Sequence, residues 1–278
     1  LVQKLSTPRE FDRFEISIGQ LVSIVDSHQF IKSVKASPEN FYVIHYSCQN
    51  LNDENEALSP RITSIAINHY ATGQSVSFST HSIAEELHIP RDNVLQRFDE
   101  VELALLTQFY KFIRDRRDKY WVHWNMRNLT FGFEHLEHRY RALGGTDAYV
   151  IAVERRLNLN DLIADRYGAD YAKHPKMMSL MEQNGGRHRD FLDGKEEVTA
   201  FANKEFLRMH ASTLSKVGFF SSTMRKLVNG KLNTASRGYG VKLEKLFESR
   251  SAKTVGLLAT LLTIIVGGWQ LILWFNGK

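Results

Sequence analysis

Hydrophobic side chains recur along this chain in two rhythms and then close in one unbroken run. Positions 255–275 carry no charged side chain. As a helix rising about 1.5 Å per residue, that run is about 30 Å long, the thickness of a bilayer's hydrocarbon core. Trp269 and Trp274 lie toward its far end, where indole rings settle at the interface. Arg250 and Lys253 precede it and only Lys278 follows. The positive-inside rule then predicts a single-pass membrane protein with a C-terminal anchor and the bulk of the chain in the cytoplasm. A lone span without an ionisable group supplies neither pore nor proton path. Gly267 and Gly268 would let a second copy approach closely, so self-association is one expectation.

Upstream, the spacing alternates between helix and strand. Phe11, Phe14, Ile18, Leu21, Val22 and Val25 recur every three or four residues, which predicts an amphipathic helix over 11–36 stopped by Pro38. Positions 41–46, 61–67 and 75–80 read as strands, the last two joined by a turn at 71–74. Three strands linked this way imply an antiparallel meander. Val101, Leu105, Leu106, Phe109, Phe112 and Ile113 predict a helix over 99–114. A fourth strand at 120–124 follows that helix, which points to a parallel crossover. Further helices are expected over 131–143, closed by Gly144 and Gly145, over 159–167, ended by Gly168, and over 196–210 and 214–228. The expected organisation is an N-terminal helical segment (1–40), an α/β domain with a mixed sheet flanked by helices (41–228), a basic linker (229–254) and the membrane helix (255–275).

Composition changes this picture in two respects. Hydrophobic residues make up 43% and charged residues 24%, a balance that excludes a disordered chain. The single cysteine, Cys48, cannot form an internal disulfide, so a reducing compartment is expected. The net charge of +5 is placed unevenly: positions 204–253 hold eleven Lys and Arg against three Asp and Glu. Anionic lipid headgroups and nucleic-acid phosphate both fit such a stretch, and beside a membrane run the lipid bilayer is the simpler partner.

Several short motifs fall in a telling order. The first strand leads into His45-Tyr-Ser-Cys-Gln-Asn-Leu51. The fourth leads into His123-Trp-Asn-Met-Arg-Asn128, followed by Phe131, Phe133, Leu136, Arg139 and Gly144. Then come the stretch 158–168 and His188-Arg-Asp-Phe-Leu-Asp193. Over roughly 41–210 the chain resembles the DnaQ-type (DEDD) 3′–5′ exonucleases, which implies an RNase H-like mixed sheet flanked by helices. In that family four carboxylates hold two divalent metals, and a histidine five positions before the last carboxylate acts as general base. Carried over residue by residue, the first two carboxylate positions are His45 and Ser47, the third is Asn128, and only Asp193 and the base-like His188 remain. One carboxylate does not hold two Mg²⁺ ions, so the resemblance implies a pseudoenzyme with no cofactor. Asp53, Glu54 or Glu56 would have to supply ligands if Mg²⁺ or Mn²⁺ were bound at Asp193.

Other constellations have plain structural explanations. Trp121 and Trp124 could stack bases beside Arg127 and Arg139, which could meet phosphate; strand packing and an exposed helix face explain them as well. His135 and His138 share a helix with Glu134 and Glu137, which reads as a solvated charged face more readily than a metal site. Ser212 and Lys216 stand at dyad spacing, yet Ser212 serves as naturally in a helix cap. Two functions follow as expectations. One is a membrane-anchored binding protein whose impaired exonuclease-like domain takes nucleic acid, a nucleotide or a protein partner, with bacterial antiviral defence as its setting. The other is an active, metal-dependent exonuclease tethered to the membrane.

Overall fold

The computed structural model describes residues 26–49, 59–127 and 130–237. The membrane run 255–275, the basic stretch past 237, the apolar positions 11–25, the acids Asp53, Glu54 and Glu56, and Asn128 lie outside the described residues.

Five strands, β1 (Phe41–Cys48), β2 (Ile62–His69), β3 (Ser75–Ser79), β4 (Tyr120–His123) and β5 (Arg156–Asn158), form one mixed sheet. Its order is β3-β2-β1-β4-β5. β2 pairs antiparallel with both β1 and β3, while β4 pairs parallel with β1 and with β5. The meander and the parallel crossover expected from the sequence are therefore both present.

Helices cover the two faces: α1 (Ser27–Ala36), α2 (Thr80–Glu86), α3 (Phe98–Arg114), α4 (Phe133–Ala142), α5 (Leu159–Tyr167), α6 (Lys176–Gln183), α7 (Gly194–Ala202) and α8 (Phe206–Val228). Successive strand residues point to opposite faces, so β1 feeds two cores. Ile44, Tyr46 and Cys48 pack in one core with Leu105, Leu106 and Phe109 of α3. Phe41 and Val43 pack in the other with Phe30 of α1, Ile163 of α5 and Val217 and Phe220 of α8. His45 and Ser47 continue that second register and meet α8. A two-sided sheet explains why β1 and β2 are buried almost end to end.

Helix ends follow local chemistry where it is strong. Gly144, at φ +94°, closes α4, with Gly145 N–H donating to Tyr140 O (2.8 Å) and Gly144 N–H to Arg141 O (3.0 Å), a Schellman closure. Gly168, also at φ +94°, ends α5 as expected. Elsewhere the sequence reading is corrected. Of the helix expected over 11–36, the described part runs from Ser27 to Ala36 behind the non-helical Asp26, which accepts from His28 N (2.8 Å). The break expected near 211–213 lies instead at 203–205. There Lys204 takes φ +57° and Glu205 N–H reaches Ala200 O (2.8 Å), the same closure made without glycine. Helix α8 runs on through that position for 23 residues, with the Thr213 hydroxyl donating to Met209 O (2.9 Å). The first part of the expected linker is packed on the domain: Leu232 is fully buried, and Ala235 N–H donates to Tyr171 O (2.8 Å).

Candidate functional site

The sheet is built outward from β1 in both directions, through β2 and β3 on one side and β4 and β5 on the other. In open α/β sheets, ligands bind in the crevice beyond the carboxyl ends of the strands at such a switch point. A cleft of about 1030 Å³ lies there. His45 and Tyr46 from the end of β1, with Trp124 and Asn125 just past β4, contribute its base. Residues at the start of α6 line one side; residues leading into α7, with Lys216 of α8, line another. Asn125 adopts φ +53°, a conformation asparagine tolerates, and its N–H donates to Asn158 Oδ1 (3.1 Å).

Beneath the cleft is a buried polar network between β1, α7 and α8. Lys216 Nζ lies 2.6 Å from Glu197 Oε1, and the two side chains are 6% and 3% exposed. Ser47 Oγ donates to the same carboxylate oxygen (2.8 Å), and Ser212 Oγ lies 3.4 Å from it. Thr213 Oγ1 stands 2.8 Å from Ser47 Oγ, and Ser212 Oγ accepts from Leu192 N (3.0 Å). Charges this deep persist because they are paired and hydrogen-bonded. Ser212 and Lys216 thus meet at Glu197, in an ion pair and not a nucleophile–base dyad.

His45 lies between the Phe131 and Phe220 rings, with centroids 5.7 and 5.4 Å away, and is 5% exposed. Burial holds its pKa well below the usual histidine value, and the nearby Lys216 and His123 push the same way. The ring is therefore neutral. Its Nδ1 has no hydrogen-bond partner among the described residues.

The structure separates the residues that sequence reading grouped. Asp193 borders the cleft, but its carboxylate caps α7: Oδ1 accepts from Lys195 N (3.0 Å) and Glu196 N (2.9 Å), and Glu196 reaches back to Asp193 N (2.8 Å). His188 stands outside the cleft lining, exposed beside Asp190 at 3.6 Å. Trp124 borders the cleft yet is 5% exposed and stacked on Phe220 (5.5 Å, 4° between planes). Arg127 is on the rim, paired with Asp161 at 2.8 Å. Arg139 is elsewhere, gripping the buried Glu102 (Nε to Oε1, 2.9 Å), which also accepts from Ile62 N (2.9 Å). The charged-face reading of α4 holds for His138, which is exposed, but not for His135, which is buried. There Tyr46 hydroxyl lies 2.9 Å from Nδ1 and Pro60 O 2.9 Å from Nε2.

Sequence reading missed three cleft residues, Lys176, Lys195 and Glu197, and placed Lys216 only at dyad spacing from Ser212. Lys176 was legible in part. A proline precedes it, and Met177, Leu180 and Met181 have helical spacing, a start signal for α6. The Glu197–Lys216 pair had no local signature. Among the described residues, no group of three or more His, Cys, Asp or Glu is arranged to hold a metal. Nor is any helix among them long and apolar enough to cross a membrane. The chain matches no family model and no curated protein.

Proposed function

We propose that the described domain is an RNase H-like module of the DnaQ (DEDD) exonuclease type that has lost its catalytic carboxylates, and that its cleft binds nucleic acid or a nucleotide. The strand order β3-β2-β1-β4-β5, with three antiparallel-linked strands followed by two parallel ones, supports the fold assignment. The observation that carries the functional reading is Lys216. Where the family needs negative oxygens, this cleft has His45 and a buried ammonium tied to Glu197, with Ser47 beneath it on the same carboxylate.

The metal pair that the family implies does not fit the described residues. Of the carboxylates bordering the cleft, Asp193 is committed to two backbone N–H groups and Glu197 to Lys216. Divalent ions placed between them would face the ammonium of Lys216 with no further anion to offset it. No hydrolytic step is therefore assigned. The walls carry Arg127, Lys176 and Lys195, a balance suited to phosphate, beside apolar Phe131 and Phe191. The run at 255–275 anchors this domain to a membrane, and a bacterial antiviral effector that acts when copies assemble is the setting we favour.

The test uses the full chain in detergent with labelled single-stranded DNA and RNA. Binding that weakens with added salt, and no cleavage on titrating Mg²⁺ or Mn²⁺, is the expected outcome. Metal-dependent cleavage abolished by Asp193→Asn would establish the alternative, an active tethered exonuclease. Asparagine is the right probe because it still caps α7, so a lost activity would not reflect a lost helix.

A further inference from the structure

Resting on that reading of the cleft, we infer that it takes a phosphomonoester of a nucleoside, free or at a strand end, held by side-chain cations and the amino end of α6 without any divalent metal. Three independent features converge. First, α6 begins at Lys176 behind Pro175, and no side chain caps it. The N–H groups of Lys176, Met177 and Met178 have no acceptor within the helix, and all three residues border the cleft. A bare helix start carries donors and partial positive charge suited to an anion. Helix α7, whose start borders the same cleft, differs in having its first turn occupied by Asp193.

Second, two buried side chains at the cleft retain unused polar capacity. Lys216 has three N–H donors; Glu197 Oε1 takes one, and the Phe191 ring lies 5.2 Å from Nζ. His45 is 95% buried by its 5% exposure, and its Nδ1 is unpartnered among the described residues. Buried polar atoms are nearly always satisfied, and a ligand oxygen that takes the spare N–H donors of Lys216 would complete that side chain. Third, Lys195 is exposed at the cleft margin with no ion-pair partner among the described residues. The fixed charges of Lys216 and Lys195 then do for phosphate what a metal ion does in a carboxylate-lined site. The aromatic and methionine side chains of the lining accommodate the nucleoside.

The experiment measures equilibrium binding to the full chain in detergent with excess EDTA. The probes are adenosine 5′-monophosphate, adenosine, and a short single strand with or without a terminal phosphate. The monophosphate and the phosphorylated strand should each bind about tenfold or more tightly than the unphosphorylated partner, the worth of one charge-assisted hydrogen bond. Lys195→Glu should remove about that preference while leaving adenosine binding and the unfolding midpoint unchanged. Lys216→Met should remove the same preference if it folds, at a lower unfolding midpoint; Lys195→Glu decides the matter if it does not. Equal binding of adenosine, an unaltered preference in Lys195→Glu, or binding that appears only on adding Mg²⁺ overturns the inference. A strand bound with no preference for its phosphate sinks this inference and leaves the nucleic-acid reading standing. A preferred monophosphate with no strand binding upholds the inference for the free nucleotide and sinks the nucleic-acid arm of that reading.

Discussion

Lys216 shows how far one residue's role depends on its partner. Alone, an ammonium at 6% exposure would be expelled or neutralised; opposite Glu197 it is held at 2.6 Å. Removing one member therefore costs more than removing both. Lys216→Met should destabilise the chain by about 3–5 kcal/mol, because it strands a buried carboxylate. Adding Glu197→Leu should recover most of that loss, since no orphan charge remains. Urea unfolding followed by the buried Trp121 and Trp124 reads both; a double variant no better than the single would contradict this account. At the same scale, alternation along β1 made it legible that His45 and Ser47 share a face. It did not say that the face meets α8, because that depends on residues such as Thr213, 166 positions from Ser47.

At the scale of elements, helix ends were readable where glycine or a capping side chain set them. Gly144 and Gly145 close α4 as expected, and a Cβ at Gly145 would overlap the Tyr140 ring, which is stacked on Tyr110. Gly145→Ala should cost about 1–3 kcal/mol, the usual penalty for forcing extra volume into a packed site. An unchanged melting midpoint would mean the ring yields freely. Asp193→Ala should cost about 1 kcal/mol through the lost cap of α7, and Asp193→Asn far less. Equal losses in the two variants would show that the carboxylate's charge, and not its capping geometry, is what matters. The short helices α2 and α6 and the strand β5 went unread, because seven, eight or three residues carry too little period to stand out. The closure at Lys204 was hidden for another reason. A lysine at φ +57° is held by the packing of α7 against α8, not by its own preference.

For the whole molecule, the buried histidines set an acid limit. Burial, helped by Arg127 and Arg156, lowers His123 to about 3. Burial, offset in part by the Pro60 carbonyl, lowers His135 to about 4. Partial burial beside His81 lowers His210 to about 4. Geometry agrees: His123 Nδ1 accepts from Met126 N (3.1 Å), a bond that protonation destroys. Between these values and the unfolded value near 6.5, the unfolded chain binds protons that the native chain refuses. The stability from these groups is thus complete above that value and falls with pH toward 3–4. His123 alone contributes about 1.4 kcal/mol per pH unit in that window. Glu102 works the other way, since burial raises its pKa despite Arg139, but it is one group against several. The urea midpoint should be lower at about pH 5 than at about pH 7.5; a flat profile would mean these rings are protonated in the folded chain.

The order of the longer strands and helices, the shared face of His45 and Ser47 and the closures at glycine were determined by the sequence alone, because periodicity and capping are short-range properties of the backbone. The cleft's charge balance was decided only in three dimensions. Lys176, Lys195, Glu197 and Lys216 come from three helices and reach one place by packing on the sheet. Pairing of side chains so distant along the chain leaves no trace in local pattern.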